Sequence, residues 1–287
     1  MPLPTQGQVH VDAALTNIST AYLQDATNFV ASQVFPSVPV SHKTDKYFTY
    51  DKSDFRRNEA KPRAAGTESA GGGFRMSTDS YSCEEYALHK DVPDSIRGNA
   101  DPAVNVDADA TRWVTQQLLI QKEVQFASDF FTTGIWGTDA TGGTTSTAWD
   151  DASSDPETDI DTAKIAVLKS TGYMPNTLLV GYAVHLALKR HPLITERYKY
   201  TSPDSITAAM IANFFELDRY LIAMASYDSA AEGAADSNAF ILGNHALLCY
   251  SNPSPSLMQA TAGYTFVWSG ANGGLNSSGL AIKTFRM

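Results

Sequence analysis

Apolar side chains recur at three- and four-residue steps along one long segment: Ala110, Trp113, Ile120, Val124, Ala127 and Phe131. Leu119, Phe126 and Phe130 widen the same face. The spacing predicts a single helix from about Asn105 to Thr132, roughly 40 Å long at the usual rise per residue. Core packing accounts for such a stripe without a cofactor or metal.

Elsewhere the periodic stretches are shorter. A helix is predicted from about Asp12 to Ala31, stopped by Val34-Phe35-Pro36 because proline disfavours helix in the residue before it. Val38 and Val40 read as extended chain, and Tyr47-Phe48-Thr49-Tyr50 is strand-like. Phe74 to Val92 reads as extended again, with Tyr86, Leu88 and Val92 on one face by period-two spacing. Between these pieces Arg57 to Gly73 lacks apolar bulk. Strand, polar tip and strand make a hairpin-like projection of roughly 50 residues, too polar for a core of its own, and segments of that kind are functional or held by a partner.

Ser154-Asp155-Pro156-Glu157 has the spacing of a capping box with proline in the first turn, and its helix ends at Gly172. Leu178 to Val180 reads as a buried strand, Ala183 to Arg190 as a helix stopped by Pro192, and Asp204 to Phe215 as another helix. Strands are predicted at Arg219–Ala225, Ala239–Leu242, Ala246–Tyr250, Tyr264–Trp268 and Leu280–Phe285. The composite is an α+β fold with a mixed sheet.

Length and charge sharpen this picture. The 287 residues allow one large domain or two modest ones, and 43% apolar with 18% charged content fits a folded chain. No apolar run approaches the roughly 18 residues that span a bilayer. The start, MPLPTQGQVHVD, has neither positive charge nor an apolar run, so no secretory signal or transit peptide is expected. The net charge of −10 argues against a surface dedicated to gripping DNA. That charge is uneven. Lys43 to Arg75 holds eight basic and five acidic residues, a local +3 that leaves −13 for the rest. Asp129 to Asp161 holds eight acids and no base. Unlike patches of this kind suit head-to-tail self-association.

The search for chemistry turns up little. Gly71-Gly72-Gly73 lies between Arg63 and Arg75, yet no Gly-Lys pair exists and the G-x-G-x-x-G spacing is absent, so a phosphate loop is excluded. A flexible tip is expected instead, since glycine permits positive φ. There is no G-x-S-x-G elbow and no H-E-x-x-H helix. The six histidines, His10, His42, His89, His185, His191 and His245, are scattered, and Cys83 and Cys249 read as two reduced thiols. No catalytic, cofactor-binding or metal-ligating residue is assigned.

Several stretches together resemble the major capsid proteins of tailed bacteriophages, with the Hong Kong 97-type shell fold. They are NISTAYLQDATNFVASQVFPSVPV (Asn17–Val40), YFTYDKSDFRRNEAKPRAAGTES (Tyr47–Ser69), YSCEEYALHKDVPD (Tyr81–Asp94), PNTLLVGYAVHLALKRHPLI (Pro175–Ile194) and ILGNHALLCY (Ile241–Tyr250), with AGYTFVWSG near the end. Their order and spacing cover nearly the whole chain. The resemblance implies an N-arm at 1–42, an extended E-loop at 43–92, a peripheral domain with a long spine helix at 93–173 and 251–287, and an axial domain at 174–250.

It further implies a non-enzymatic homo-oligomer of hexamers and pentamers in an icosahedral shell. The shell would be assembled in the host bacterial cytoplasm with a separate scaffolding protein and a portal, a decoration protein being left open, and would enclose double-stranded DNA without specific binding or any membrane. Arg56, Arg57, Lys61 and Arg63 of the E-loop are expected to meet carboxylates of an adjacent subunit. Some members of the family cross-link subunits through a Lys and an Asn helped by a carboxylate. Lys61 with Asn272 or Asn276 would be the counterparts, but no Asp or Glu follows Asp236, so no cross-link is expected. An encapsulin-type nanocompartment shell shares the fold and stays open as an alternative, as does a soluble hydrolase with dispersed catalytic residues.

Overall fold

The computed structural model describes residues 23–100, 105–144, 147–199, 206–254 and 258–270. The predicted helix over 12–31 falls mostly outside these. Within them the chain from Leu23 forms a single 3-10 turn, Ala26–Asn28, and α1 (Ala31–Val34) begins where that prediction ends. Phe35, before Pro36, is extended as proline requires. β1 (Ser37–Val40) follows, then β2 (Thr44–Tyr50) and β3 (Met76–Ser82). The second half of the predicted projection is strand only as far as Ser82. Its ladder ends at the Thr44↔Ser82 pair, because β2 begins there and the chain before it leaves to pair elsewhere. Tyr86 and Leu88, expected on one strand face, are exposed in irregular chain.

α2 (Asp94–Asn99) precedes α3 (Val106–Phe130), the long helix. Asn105 caps α3 by accepting from Ala108 N at 3.0 Å. The predicted stripe is only partly core: Phe126 is buried, Ala127, Phe130 and Phe131 pack against the core it joins, and Trp113, Ile120 and Val124 stay half-buried. α4 (Pro156–Thr171) starts from a different cap than expected. Asp155, not Ser154, accepts from Thr158 N at 3.1 Å, because the Ser154 hydroxyl is engaged with His191. Gly172 ends α4 at φ 82°, the left-handed position glycine fills without strain.

The remaining elements are β4 (Thr177–Gly181), α5 (Tyr182–Arg190), α6 (Pro192–Tyr198), α7 (Ala208–Phe214), β5 (Arg219–Ala223), β6 (Ser226–Asp228), β7 (Asn238–Phe240), β8 (Ala246–Cys249) and β9 (Thr265–Trp268). Pro192 does not merely stop α5. It opens α6 at the first helical position, where its missing N–H costs nothing. The predicted strand at Leu280–Phe285 lies outside the described residues.

β4 is the centre of a three-stranded mixed sheet, parallel to β5 and antiparallel to β8. Every residue of β4 is buried, as its continuous apolar run dictates. Alternation sends its side chains to two cores. Leu179 points into one with Val34, Phe35, Phe126 and Leu247. Leu178 and Val180 point into the other with Ile160, Leu188, Ile211 and Phe215. Gly181 ends β4 so close to the Gly243 carbonyl that a Cβ there would lie 2.0 Å from its oxygen. Apart from this sheet, β1 pairs in parallel with β9, while β2 pairs antiparallel with β3 and β6 antiparallel with β7.

Candidate interface surface

The β2–β3 hairpin is an isolated two-stranded sheet whose strands are mostly exposed. Its register places Tyr50 opposite Met76, Phe48 opposite Thr78, Lys46 opposite Ser80, and Tyr47 opposite Asp79. Because successive side chains alternate, one face carries Asp45, Tyr47, Thr49, Asp79 and Tyr81. That face meets the body of the chain: the Tyr81 ring stacks on Phe266 of β9 at 4.6 Å, and Tyr47 lies 5.6 Å from the same ring. Cys83 Sγ adds a weak bond to the Phe266 carbonyl at 3.7 Å. The opposite face carries Lys46, Phe48, Tyr50 and Met76. Phe55 and Phe74 extend it at the tip, 6.1 and 5.9 Å from the Tyr50 ring and 5.2 Å from each other.

The tip is shaped by a charge fork. Arg75 donates to Asp54 at 2.9 and 3.0 Å and to Asp51 at 2.5 Å. The Arg75 guanidinium and backbone N–H hold the Asp54 carboxyl below the usual range. The Ser53 donors do so for Asp51, with Arg75 adding to the effect. Arg75 is thus committed within its own loop. The three glycines do not supply the positive φ expected of them. In this tip that conformation falls on Gly66.

The four basic residues singled out by sequence are not brought into one site. Arg56 donates to the Ser170 carbonyl at 2.7 Å, near the C-terminus of α4, where a cation suits the helix dipole. Arg57 lies 3.9 Å from Asp54. Lys61 and Arg63 are exposed and make no ion pair among the described residues. Asn272 and Asn276 lie outside the described residues. Sequence reading missed the apolar face altogether. Its signal is the alternation of Lys46, Phe48 and Tyr50, with Phe55 and Phe74 flanking the polar tip.

Two buried polar groups were also missed. Glu123 sits in the α3 stripe and accepts from Val30 N at 3.1 Å and Ala31 N at 2.9 Å, holding the start of α1. Burial pushes its carboxyl above the usual range, against the pull of those two donors. An acid between Ile120, Val124 and Phe126 was the available signal. His191 caps α6, its Nδ1 accepting from Leu193 N at 3.3 Å. Its Nε2–H therefore donates to Ser154 Oγ at 3.1 Å, and that hydroxyl donates to the Asp151 carbonyl at 2.8 Å. The serine proton is committed to a carbonyl rather than to the imidazole, so this pair does not activate a nucleophile. Burial raises the Cys249 thiol to about 12, which keeps it unreactive. Among the described residues no group of three or more His, Cys, Asp or Glu side chains could hold a metal ion. Nor is any helix there long and apolar enough to cross a membrane.

No protein-family model matches the chain. A protein of Pseudomonas phage JBD67 named major capsid protein is 26% identical over 277 residues, which is 90% of this chain and 83% of that protein. A second, of Burkholderia phage BcepMu and also named major capsid protein, is 23% identical over 223 residues, 76% of this chain and 70% of its own. Among solved structures, a phage-related protein from Bordetella bronchiseptica RB50 superposes with a TM-score of 0.64 at 28% identity, covering 86% of this chain and 80% of that one. The resemblance to phage major capsid proteins drawn from the sequence thus extends over most of the chain.

Proposed function

We propose that this chain is a structural subunit of a tailed-phage head, of the Hong Kong 97-type fold, that assembles as hexamers and pentamers into an icosahedral shell around packaged double-stranded DNA. The observation that carries the reading is the match to proteins named major capsid protein, one of them across 90% of the chain. The α+β architecture and its likeness to a phage-related protein support it. In this reading residues 1–42 are the arm, 43–92 the extended loop, 93–173 with 251–287 the peripheral domain, and 174–250 the axial domain. The parallel β1–β9 ladder joins residues 37–40 of that arm to residues 265–268 of that peripheral domain. A separate scaffolding protein and a portal are the expected partners, with a decoration protein left open, the host cytoplasm the place of assembly and the virion the destination. The protein's role is mechanical rather than catalytic, and its acidic surface keeps enclosed DNA from adhering.

Arg56, Arg57, Lys61 and Arg63 are proposed to face carboxylates of a neighbouring subunit, with Lys61 and Arg63 the most available. Exposed pairs contribute little singly, but a closed shell repeats them at every subunit. Electron microscopy of the purified full chain, with scaffolding protein supplied, tests the reading. Hollow particles are expected. A protein that stays monomeric at every concentration, with and without scaffold, overturns it.

A further inference from the structure

His185 lies in the middle of α5 and is only 8% exposed. Its Nδ1 is 3.0 Å from the Tyr220 hydroxyl of β5, and the two rings are 5.7 Å apart. The pair bridges α5 to an edge strand of the mixed sheet. The His185 ring is also 6.4 Å from Tyr182, whose own ring is 5.6 Å from Phe240 of β7. One imidazole thus links the sheet, the helix and the β6–β7 hairpin. Among the described residues no acid pairs with it. The titratable groups of α5 itself are Tyr182, Lys189 one turn further on, and exposed Arg190. His191, just after α5, is committed to Ser154 and Leu193. β4, which packs on α5, has no titratable group, and neither has β7. β5 offers Tyr220 and Arg219, and Arg219 donates to the Gln33 carbonyl. α6 carries Glu196, Arg197 and Tyr198. Of these Arg197 pairs with Glu157 at 3.0 Å, Tyr198 donates to the Met210 carbonyl at 3.1 Å, and Glu196 is exposed. Burial holds the His185 imidazole below its usual range, and the Lys189 cation adds to that. Burial raises the Tyr220 phenol, which therefore keeps its proton.

A neutral imidazole suits this place in either tautomer, since a phenol both donates and accepts. A second ring proton brings a full charge into a buried site with no acid to meet it, and an unpaired charge is far costlier to bury than a neutral ring. We propose that His185 is an acid-release pin: neutral, it holds α5 on β5, and on gaining a proton it leaves its place and frees α5, together with the β6–β7 hairpin that leans on α5 through Tyr182 and Phe240. The pin goes beyond the shell reading and does not depend on it. Linkage gives the direction. A histidine lowered on folding contributes stability that is fully present above its ordinary 6.5 and is lost as pH falls from there through the lowered folded value. Between those two values the open form gains up to about tenfold per pH unit, and below the folded value the gain levels off.

The test follows hydrogen exchange of the α5 amides in the full chain, kept below its assembly concentration, from about pH 8 to about pH 5, with the intrinsic pH dependence of exchange divided out. Because Glu123 titrates too, the reading is a difference between parent and variant. Opening of α5 in the parent should rise by up to about tenfold per pH unit below 6.5. His185→Asn keeps an acceptor but no titrating ring, and should show no such rise. An equal rise in both proteins, or none in the parent, overturns the inference. Should His185→Asn misfold, the ring resonance of His185 in the parent, identified as the one that Tyr220→Phe displaces, is titrated instead. It should gain its proton below 6.5, with the α5 amides losing protection over the same pH range. A ring that titrates at or above 6.5 would mean that Tyr182 and Tyr220 hold the cation in place, and overturns the inference as well. Neither reading requires particles, so a chain that never assembles removes the shell and leaves the pin to be judged on its own.

Discussion

Strand β4 and the β2–β3 hairpin both alternate their side chains between two faces, and they end in opposite surroundings. β4 has a strand on each edge and a core on each face, so all of its residues are buried. Among the described residues the hairpin has no third strand; one face leans on the Phe266 ring of β9, and the other leaves Lys46, Phe48 and Met76 exposed. The sheet is a structure that the chain finishes by itself. The hairpin is one that the chain starts and leaves to something else. Stability and assembly should therefore be separable by mutation: changes near β4 should act on the isolated subunit, and changes on the open face should act on association.

The largest effect tests the first half. Leu179 is 0% exposed at the middle of β4. Leu179→Ala should cost the isolated subunit about 2–5 kcal/mol in chemical denaturation, the range for a leucine cavity in a packed core. Phe48→Ala should cost far less, because its ring already faces water. Equal losses at both positions would break the comparison.

A smaller effect sharpens the boundary of the self-sufficient part. Glu123 ties α1 to α3 by accepting from two backbone donors in a buried site. Glu123→Ala leaves those donors without an acceptor and should cost about 1–3 kcal/mol. Glu123→Gln keeps an acceptor and isolates the charge. Burial raises this carboxyl above its ordinary 4.5, so over part of the pH range the folded chain holds a proton that the unfolded chain has released. The contribution from Glu123 is then fully present below about 4.5, falls as pH rises through the raised value, and levels off beyond it. The difference between parent and Glu123→Gln in denaturation midpoint should follow that curve. A difference that stays flat with pH would show the carboxyl to be unperturbed.

These sites also show what could be read in advance. The long helix announced itself through its stripe, and β4 through Leu178-Leu179-Val180, because local periodicity reflects which side faces the core. The capping-box spacing put the cap at Ser154. The choice fell to Asp155 through His191, a contact made across 37 positions that no spacing reveals. The strand predicted to Val92 ended at Ser82 because its antiparallel partner β2 begins opposite it at Thr44, and β1 goes instead to β9, near the far end of the chain. Arg56 was legible as a cation but not as a donor to the end of α4. The hairpin's two faces needed the register: Lys46-Tyr47-Phe48-Thr49-Tyr50 alternates plainly, yet nothing in it tells which set of side chains meets β9.

A gain rather than a loss is expected where the sheet is entered. Glu216 follows α7 at φ 52°, a left-handed conformation unusual for a residue with a Cβ, while Leu217 N closes the helix end on the Ala212 carbonyl. Glycine takes that position without strain, so Glu216→Gly should stabilise the isolated subunit by about 1 kcal/mol. The gain should appear in denaturation and leave the concentration needed for assembly unchanged. A shift in assembly would mean that this end of the sheet is also part of the contact between copies.

The smallest effect falls on the projection's tip. Lys61 and Arg63 touch no acid of their own chain among the described residues, and the Arg75 fork already holds the loop in shape through Asp51 and Asp54. Reversing both charges, Lys61→Glu with Arg63→Glu, should move the thermal midpoint of the isolated subunit by no more than about 1 °C, as for surface changes far from any core. Assembly should weaken modestly, and most at low salt, where attraction between exposed charges is least screened. A fall of several degrees in the isolated subunit would mean that these cations support the loop's own fold. The hairpin would then be a finished structure like β4, and the division between what the chain completes alone and what it leaves to a second copy would no longer stand.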